Sequence, residues 1–157
     1  MLTFPKRGSE IEVPVYERPE RYDGEDDEQF GERQAVYEER RGITARVRLV
    51  SREVARQWGM KFAAMDAQEK ARIAAAGGEA PLMGFTPEGL EEMQAFQRAV
   101  CSKALVSLDG FAVGTIDIGS ISDNARLVEL ADECDLLGVV ANAVTRAQTP
   151  TPKQGEF

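Results

Sequence analysis

Ile43-Thr44-Ala45-Arg46-Val47-Arg48-Leu49-Val50 alternates apolar and polar side chains, and after Ser51 the apolar residues Val54, Ala55, Trp58, Phe62 and Met65 recur at helical spacing. The period thus switches from two to about 3.6 at a single residue. Ile43, Ala45, Val47 and Leu49 share one side of a half-buried strand over 43–50, and Arg46 and Arg48 take the other. Ser51 supplies the hydroxyl acceptor that a helix start needs. A strand feeding directly into an amphipathic helix predicts an α+β chain.

Toward the N-terminus, Glu10 to Glu17 alternates through Ile11, Val13 and Val15, which predicts a second strand over 10–17. Pro14 has no N–H to donate to a ladder, so this strand belongs at a sheet edge. Between the two strands, Arg18 to Arg41 has 14 charged residues out of 24, interrupted by Pro19 and Gly24. Such a stretch buries too little apolar surface to offset its ordering entropy, so a mobile acidic loop over 18–41 is expected. At most a helical turn forms near Ala35-Val36-Tyr37.

Toward the C-terminus, Asp66 and Glu69 form a capping-box pattern that predicts a new helical segment, stopped at Gly77-Gly78. Residues 79–85 read as a loop around Pro81 and Gly84. Thr86-Pro87-Glu88 combines a cap, a proline at the first helical position and an acid in the first turn. Leu90, Met93, Phe96, Val100 and Ala104 follow in steps of three or four, predicting the strongest helix, to about Leu105. Leu105-Val106-Ser107-Leu108 and the turn Asp109-Gly110 open a short extended piece near 105–118. Ser122-Asp123 starts a further helix with Leu127, Leu130, Ala131 and Cys134 on its inner face, continued as helix from Leu136 to Ala147. Thr149-Pro150-Thr151-Pro152 ends the pattern. The expected fold is therefore α+β and mostly helical, with one domain over 1–148 and a disordered tail over 149–157.

The chain has 157 residues, 43% of them apolar, a formal net charge of −8 and an isoelectric point near 4.7. Residues 1–50 hold nine basic and twelve acidic side chains, residues 51–106 seven of each, and residues 107–157 three and eight. An acidic surface repels phosphate backbones, which argues against nucleic acid as a partner. No stretch approaches the roughly 20 apolar residues of a membrane span, and Met1 to Arg7 lacks a signal-like apolar core. Cys101 and Cys134 are 33 residues apart with no CxxC. A reduced, cytoplasmic setting is the expectation, with both thiols acting as small hydrophobes.

The chain contains no histidine. That removes the commonest general base, the serine–histidine triad and most transition-metal sites. The run Asp23-Gly24-Glu25-Asp26-Asp27-Glu28 lacks a calcium loop's spacing, since counting twelve residues from Asp23 or Asp26 reaches Gln34 or Tyr37 rather than glutamate. Gly110, Gly114 and Gly119 match neither GxGxxG nor a Walker pattern. Asp109 reads as a turn residue and Asp123 as a helix-start residue, not as a catalytic pair with Asp117. No enzyme activity, cofactor or metal is expected.

Four residues stand out as candidates for an interface. Arg46 and Arg48, with Arg52 and Arg56 beyond them, form the only basic cluster; they face acids of this same chain, or else grip an acidic partner or phosphate. Trp58, the only tryptophan, and Phe96 sit on apolar helical stripes and serve core packing or an interface anchor.

The order of parts from residue 43 onward resembles a tail assembly chaperone of long-tailed bacteriophages. Ile43–Val50 corresponds to the family's β-rich start and Ser51–Leu105 to its helical body. Val106-Ser107-Leu108-Asp109-Gly110 matches its strand-like turn, and Asn124–Gln148 its two late amphipathic helices. Thr149-Pro150-Thr151-Pro152-Lys153 is similar to its ragged polar end. The insertion Arg18–Arg41 has no counterpart in that order. The resemblance implies a non-enzymatic protein of the host cytoplasm that binds tape-measure and tail-tube proteins during assembly. It carries over no site residues and leaves a homo-oligomer open. The alternative class is a virion structural or connector protein whose N-terminal arm contacts neighbouring subunits.

Overall fold

A computed structural model describes residues 1–78, 84–149 and 153–154. Among them the chain is α+β and mostly helical, as expected. The central sheet has three antiparallel strands in the order β2 (Glu10–Pro14), β3 (Thr44–Arg48), β4 (Leu105–Asp109). Before β2 lies the two-residue strand β1 (Leu2–Thr3). Strand β2 is an edge strand, and Pro14 closes its register opposite Thr44. Ala45, Val47 and Leu49 are fully buried while Arg46 and Arg48 are exposed, so the alternation of β3 reports its two faces correctly.

Strand β4 alternates poorly in sequence for a structural reason. Its pairing with β3 shifts register between Arg46 and Val47, which face Ser107 and Leu105. The extra residue lets Leu105 and Leu108, three apart, both enter the core. After β4, Gly110 takes φ +98°, and a Cβ there would lie 2.3 Å from the Gly42 carbonyl oxygen. Only glycine fits that turn. A small hairpin, β5 (Ala112–Val113) with β6 (Ile116–Asp117), follows and ends in a 3₁₀ turn whose Ile118 is fully buried.

Among the described residues, five helices accompany the strands: α1 (Asp27–Arg40), α2 (Arg52–Ala75), α3 (Pro87–Ala104), α4 (Asn124–Glu133) and α5 (Leu137–Ala147). Helix α3 starts as expected, with the Thr86 hydroxyl accepting from Gly89 N at 3.1 Å. It packs along α5, where Val100, Val140 and Val144 are fully buried. Asn124 joins α4 to the end of α3 by donating to the Cys101 and Leu105 carbonyls at 3.2 and 2.8 Å. Asp123 stands at the N-cap of α4 but makes no side-chain cap bond. Helices α4 and α5 are separated by Asp135 at φ +58°, where Leu136 N donates to Ala131 O at 2.9 Å in a Schellman-type closure.

Three sequence expectations are corrected. The loop over 18–41 contains helix α1. Asp26 caps it by accepting from Gln29 N at 2.7 Å. Arg33 then gathers the preceding segment: it bonds both Glu25 oxygens at 2.8 and 2.9 Å and lies 4.2 Å over the Tyr22 ring. Charge content alone misread this stretch because opposite charges placed face to face attract rather than swell the chain. The second correction is that Asp66 starts no new helix, because α2 runs unbroken from Arg52 to Ala75. Asp66 pairs with Lys70 at 3.0 Å, and Glu69 caps a different helix, described below. Finally, the tail is not wholly free of structure: β7 (Lys153–Gln154) pairs antiparallel with β1, Thr3 facing Lys153. Residues 79–83 of the expected loop, and 150–152 and 155–157 of the expected tail, lie outside the described residues.

Candidate functional site: an apolar cleft along helix α2

Ser51 starts α2 by accepting from Val54 N at 3.2 Å. The stripe Val54, Ala55, Trp58 and Met65 turns toward the core yet is only partly buried. Phe62 remains 51% exposed. In a helix of 24 residues, the single buried residue is Glu69. A soluble helix normally covers its apolar stripe, and α3 does so at Phe96 and Val100. Helix α2 leaves its stripe half open.

The opening is a cleft of about 310 Å³ walled by α2, α3 and α5. Trp58 and Phe62 form one wall, Met93 and Phe96 the second, and Ala141 and Thr145 the third. None of its twelve lining residues is charged, in a chain with 29% charged residues. Gln148 lines the same cleft and is buried. Its Oε1 accepts from Val50 N at 2.9 Å, and its Nε2 donates to the Arg48 and Val144 carbonyls at 3.2 and 3.1 Å. The amide is thus saturated internally and ties the end of α5 to the strand–helix junction.

A second hollow of about 340 Å³ continues along α2 and shares Phe62 and Met93 with the first. At its floor Glu69 is 8% exposed. One carboxylate oxygen, Oε1, accepts from the Thr86 hydroxyl at 2.6 Å and from Thr86 N at 3.3 Å, so an acid from α2 holds the positive N-terminal end of α3. Its Oε2 is buried without a hydrogen-bond partner. Glycine at 89 makes room for it, since a Cβ there would stand 1.3 Å from Oε2. Beside it Arg72 and Glu92 join α2 to α3 at 2.6 Å. That hydrogen bond holds the Glu92 carboxyl below its usual range and raises the Arg72 guanidinium.

Of the four sequence candidates, Trp58 and Phe96 meet in the cleft, Phe96 as a buried part of its wall. Arg46 and Arg48 do not join them. Both lie exposed on the outer face of the sheet, 3.9 and 3.5 Å from Glu10. Sequence reasoning missed Gln148 and Glu69, whose partners are distant in the chain. It placed Phe62 on the right stripe without revealing that the stripe is uncovered.

Little reactive chemistry surrounds the cleft. Burial pushes the Cys101 thiol up to about 12, and Cys134 is shifted upward as well. Among the described residues, no group of three acidic, cysteine or histidine side chains is placed to hold a metal ion, and no helix is long and apolar enough to cross a membrane. In comparison with known proteins, no family model, no curated protein and no solved structure matches this chain.

Proposed function

We propose that this chain is a non-enzymatic binding protein that sheathes an apolar helical segment of another protein in the cleft along α2. The observation that carries the reading is a half-open apolar stripe flanked by an uncharged three-helix cleft, on a chain that is otherwise strongly charged. Grooves of this kind take the apolar face of a helix. The resemblance to tail assembly chaperones gives the partner class: tape-measure and tail-tube proteins, bound in the host cytoplasm before assembly and needing no cofactor. Such partners expose apolar surface until they assemble, and a cover for it is what the cleft offers. The net charge of −8 acts on the rate of encounter and disfavours self-association.

Phe62 provides the test, because it is exposed enough for substitution without loss of core packing. Phe62→Glu is expected to keep the wild-type melting temperature while losing a long helical partner that the wild-type chain retains in a pull-down from its native source. Retention of that partner by the variant would refute the cleft as the binding site.

One observation favours the second reading, a virion structural or connector protein. None of the 14 residues of α1 is buried, so this helix stands on the body as an arm that a neighbouring subunit can cover. Presence of the chain in purified particles, together with partner loss on charge reversal in α1 rather than at Phe62, would select that reading.

A further inference from the structure

We infer that the open edge of strand β2 takes up a basic extended segment of another protein. The segment adds antiparallel as a fourth strand, with lysine or arginine opposite Glu10 and Glu12 and an apolar residue opposite Ile11. This surface shares no residue with the lining of the cleft and does not depend on that reading.

The direction of each backbone group in β2 follows from its hydrogen bonds. Val15 N donates to Ile43 O at 3.0 Å and Leu49 N donates to Ser9 O at 2.9 Å, so the odd-numbered residues of this stretch bond β3. In an antiparallel pair the alternate residues turn their N–H and C=O the other way. Glu10, Glu12 and Pro14 therefore face off the sheet. Pro14 agrees with that parity twice: it has no N–H to leave unpaired, and its C=O accepts from the Arg146 guanidinium at 2.7 Å. That end of the edge is closed. Among the described residues, no hydrogen bond reaches the backbone N–H or C=O of Glu10 or Glu12. The opposite edge of the sheet differs, since β4 packs against α4 and the 3₁₀ turn, and Asn124 donates to the Leu105 carbonyl.

Side chains choose the occupant. On the inner face Ile11 and Val13 are only partly buried, whereas Val47 and Ala45, opposite them on β3, are sealed. An apolar side chain from a further strand completes their cover. On the outer face Glu10 is shared by Arg46 and Arg48 at 3.9 and 3.5 Å. Glu12 stands opposite Arg46 in register, yet among the described residues it is in no ion pair. Arginines flank this acidic column on the β3 side, and a basic strand flanks it on the other. The same charges disfavour pairing with β2 of a second copy, because a register centred on the free groups sets Glu10 against Glu12 in both directions.

The probes are peptides of about nine residues that alternate lysine and valine, titrated calorimetrically into the full chain. The lysine–valine peptide should bind about tenfold or more tighter than its glutamate–valine counterpart, in which two attractive cross-strand pairs become repulsive. Methylation of its lysine backbone nitrogens removes the N–H groups that bond Glu10 and Glu12, and should weaken binding about tenfold or more. Methylation of its valine nitrogens, which point away from β2, should change affinity by about twofold at most. Glu12→Lys, at an exposed position, should cut the preference for lysine over glutamate by about fivefold or more.

Equal effects of the two methylations would overturn strand addition and leave charge attraction alone. A lysine preference unchanged in Glu12→Lys would overturn the role of the acidic column. Failure of the lysine–valine peptide to bind would overturn the whole inference, while the cleft reading stands on other residues and other assays.

Discussion

Gly89→Ala is a substitution whose sign the structure decides. In an exposed helix, alanine for glycine stabilises by up to about 1 kcal/mol. Here the new Cβ would lie 1.3 Å from Glu69 Oε2, so the carboxylate must leave its place at the head of α3. Leaving forfeits the two bonds from Thr86, at 2.6 and 3.3 Å, to a charged acceptor. Bonds of that kind contribute about 1.5–3 kcal/mol, and the acid at the helix N-terminus about 0.3–1 more. The unsatisfied Oε2 returns part of this on release. Loss outweighs gain, and Gly89→Ala should destabilise by about 1–2 kcal/mol. In a Glu69→Ala background nothing remains to be displaced, and the same substitution should then stabilise by about 0.5–1 kcal/mol. Urea unfolding followed by far-ultraviolet circular dichroism gives all four corners of this double-mutant cycle. Additive effects, or a stabilising Gly89→Ala in the native background, would refute the claim that Glu69 and Gly89 form one fitted unit.

Phe96→Ala should cost about 3–5 kcal/mol in the same assay, since Phe96 is 6% exposed between α3 and the core and its removal leaves a cavity beside the cleft. Native-state alkylation should label Cys134 and spare Cys101, whose thiol stays protonated well above neutral pH; mass spectrometry after iodoacetamide treatment reads the ratio. Limited trypsin digestion tests the Arg33 hub: Arg33→Ala should speed cleavage after Arg21, Arg40 and Arg41 relative to the wild-type chain, while Arg18, which precedes Pro19, offers no tryptic site in either. The Arg33 hydrogen bond holds the Glu25 carboxyl below its ordinary range, so its contribution is present above about pH 4 and is lost as pH falls through the lowered folded value. The wild-type segment should loosen in that acid window and stay intact from about pH 5 to 8, and loosening on the alkaline side instead would count against the pair.

Local periodicity determined much of this molecule. The alternation in 43–50 identifies β3 and its buried face, because residue spacing records directly which side each side chain takes in a strand. Thr86-Pro87-Glu88 fixes the start of α3 to the residue, since capping chemistry acts within one turn. Pro14 marks the edge strand for an equally local reason, the missing N–H. The apolar stripes of α2 and α3 are both readable, and they look alike.

Tertiary structure alone decided which stripe is covered. Val100 and Phe62 line the same cleft, yet Val100 is fully buried and Phe62 is half exposed, and nothing in the spacing of α2 records the absence of a neighbour. Partner choice is equally invisible to a local reading. Glu69 looks like the end of a capping box in its own helix but bonds Thr86, 17 residues away. Gln148 closes the cleft through hydrogen bonds to residues 98 and 100 positions earlier. Arg33 converts an apparently repulsive acidic run into a folded arm by facing Glu25 and Tyr22. In each case the deciding energy comes from a contact that exists only after distant segments have met, so composition and period determine the elements while packing decides the site.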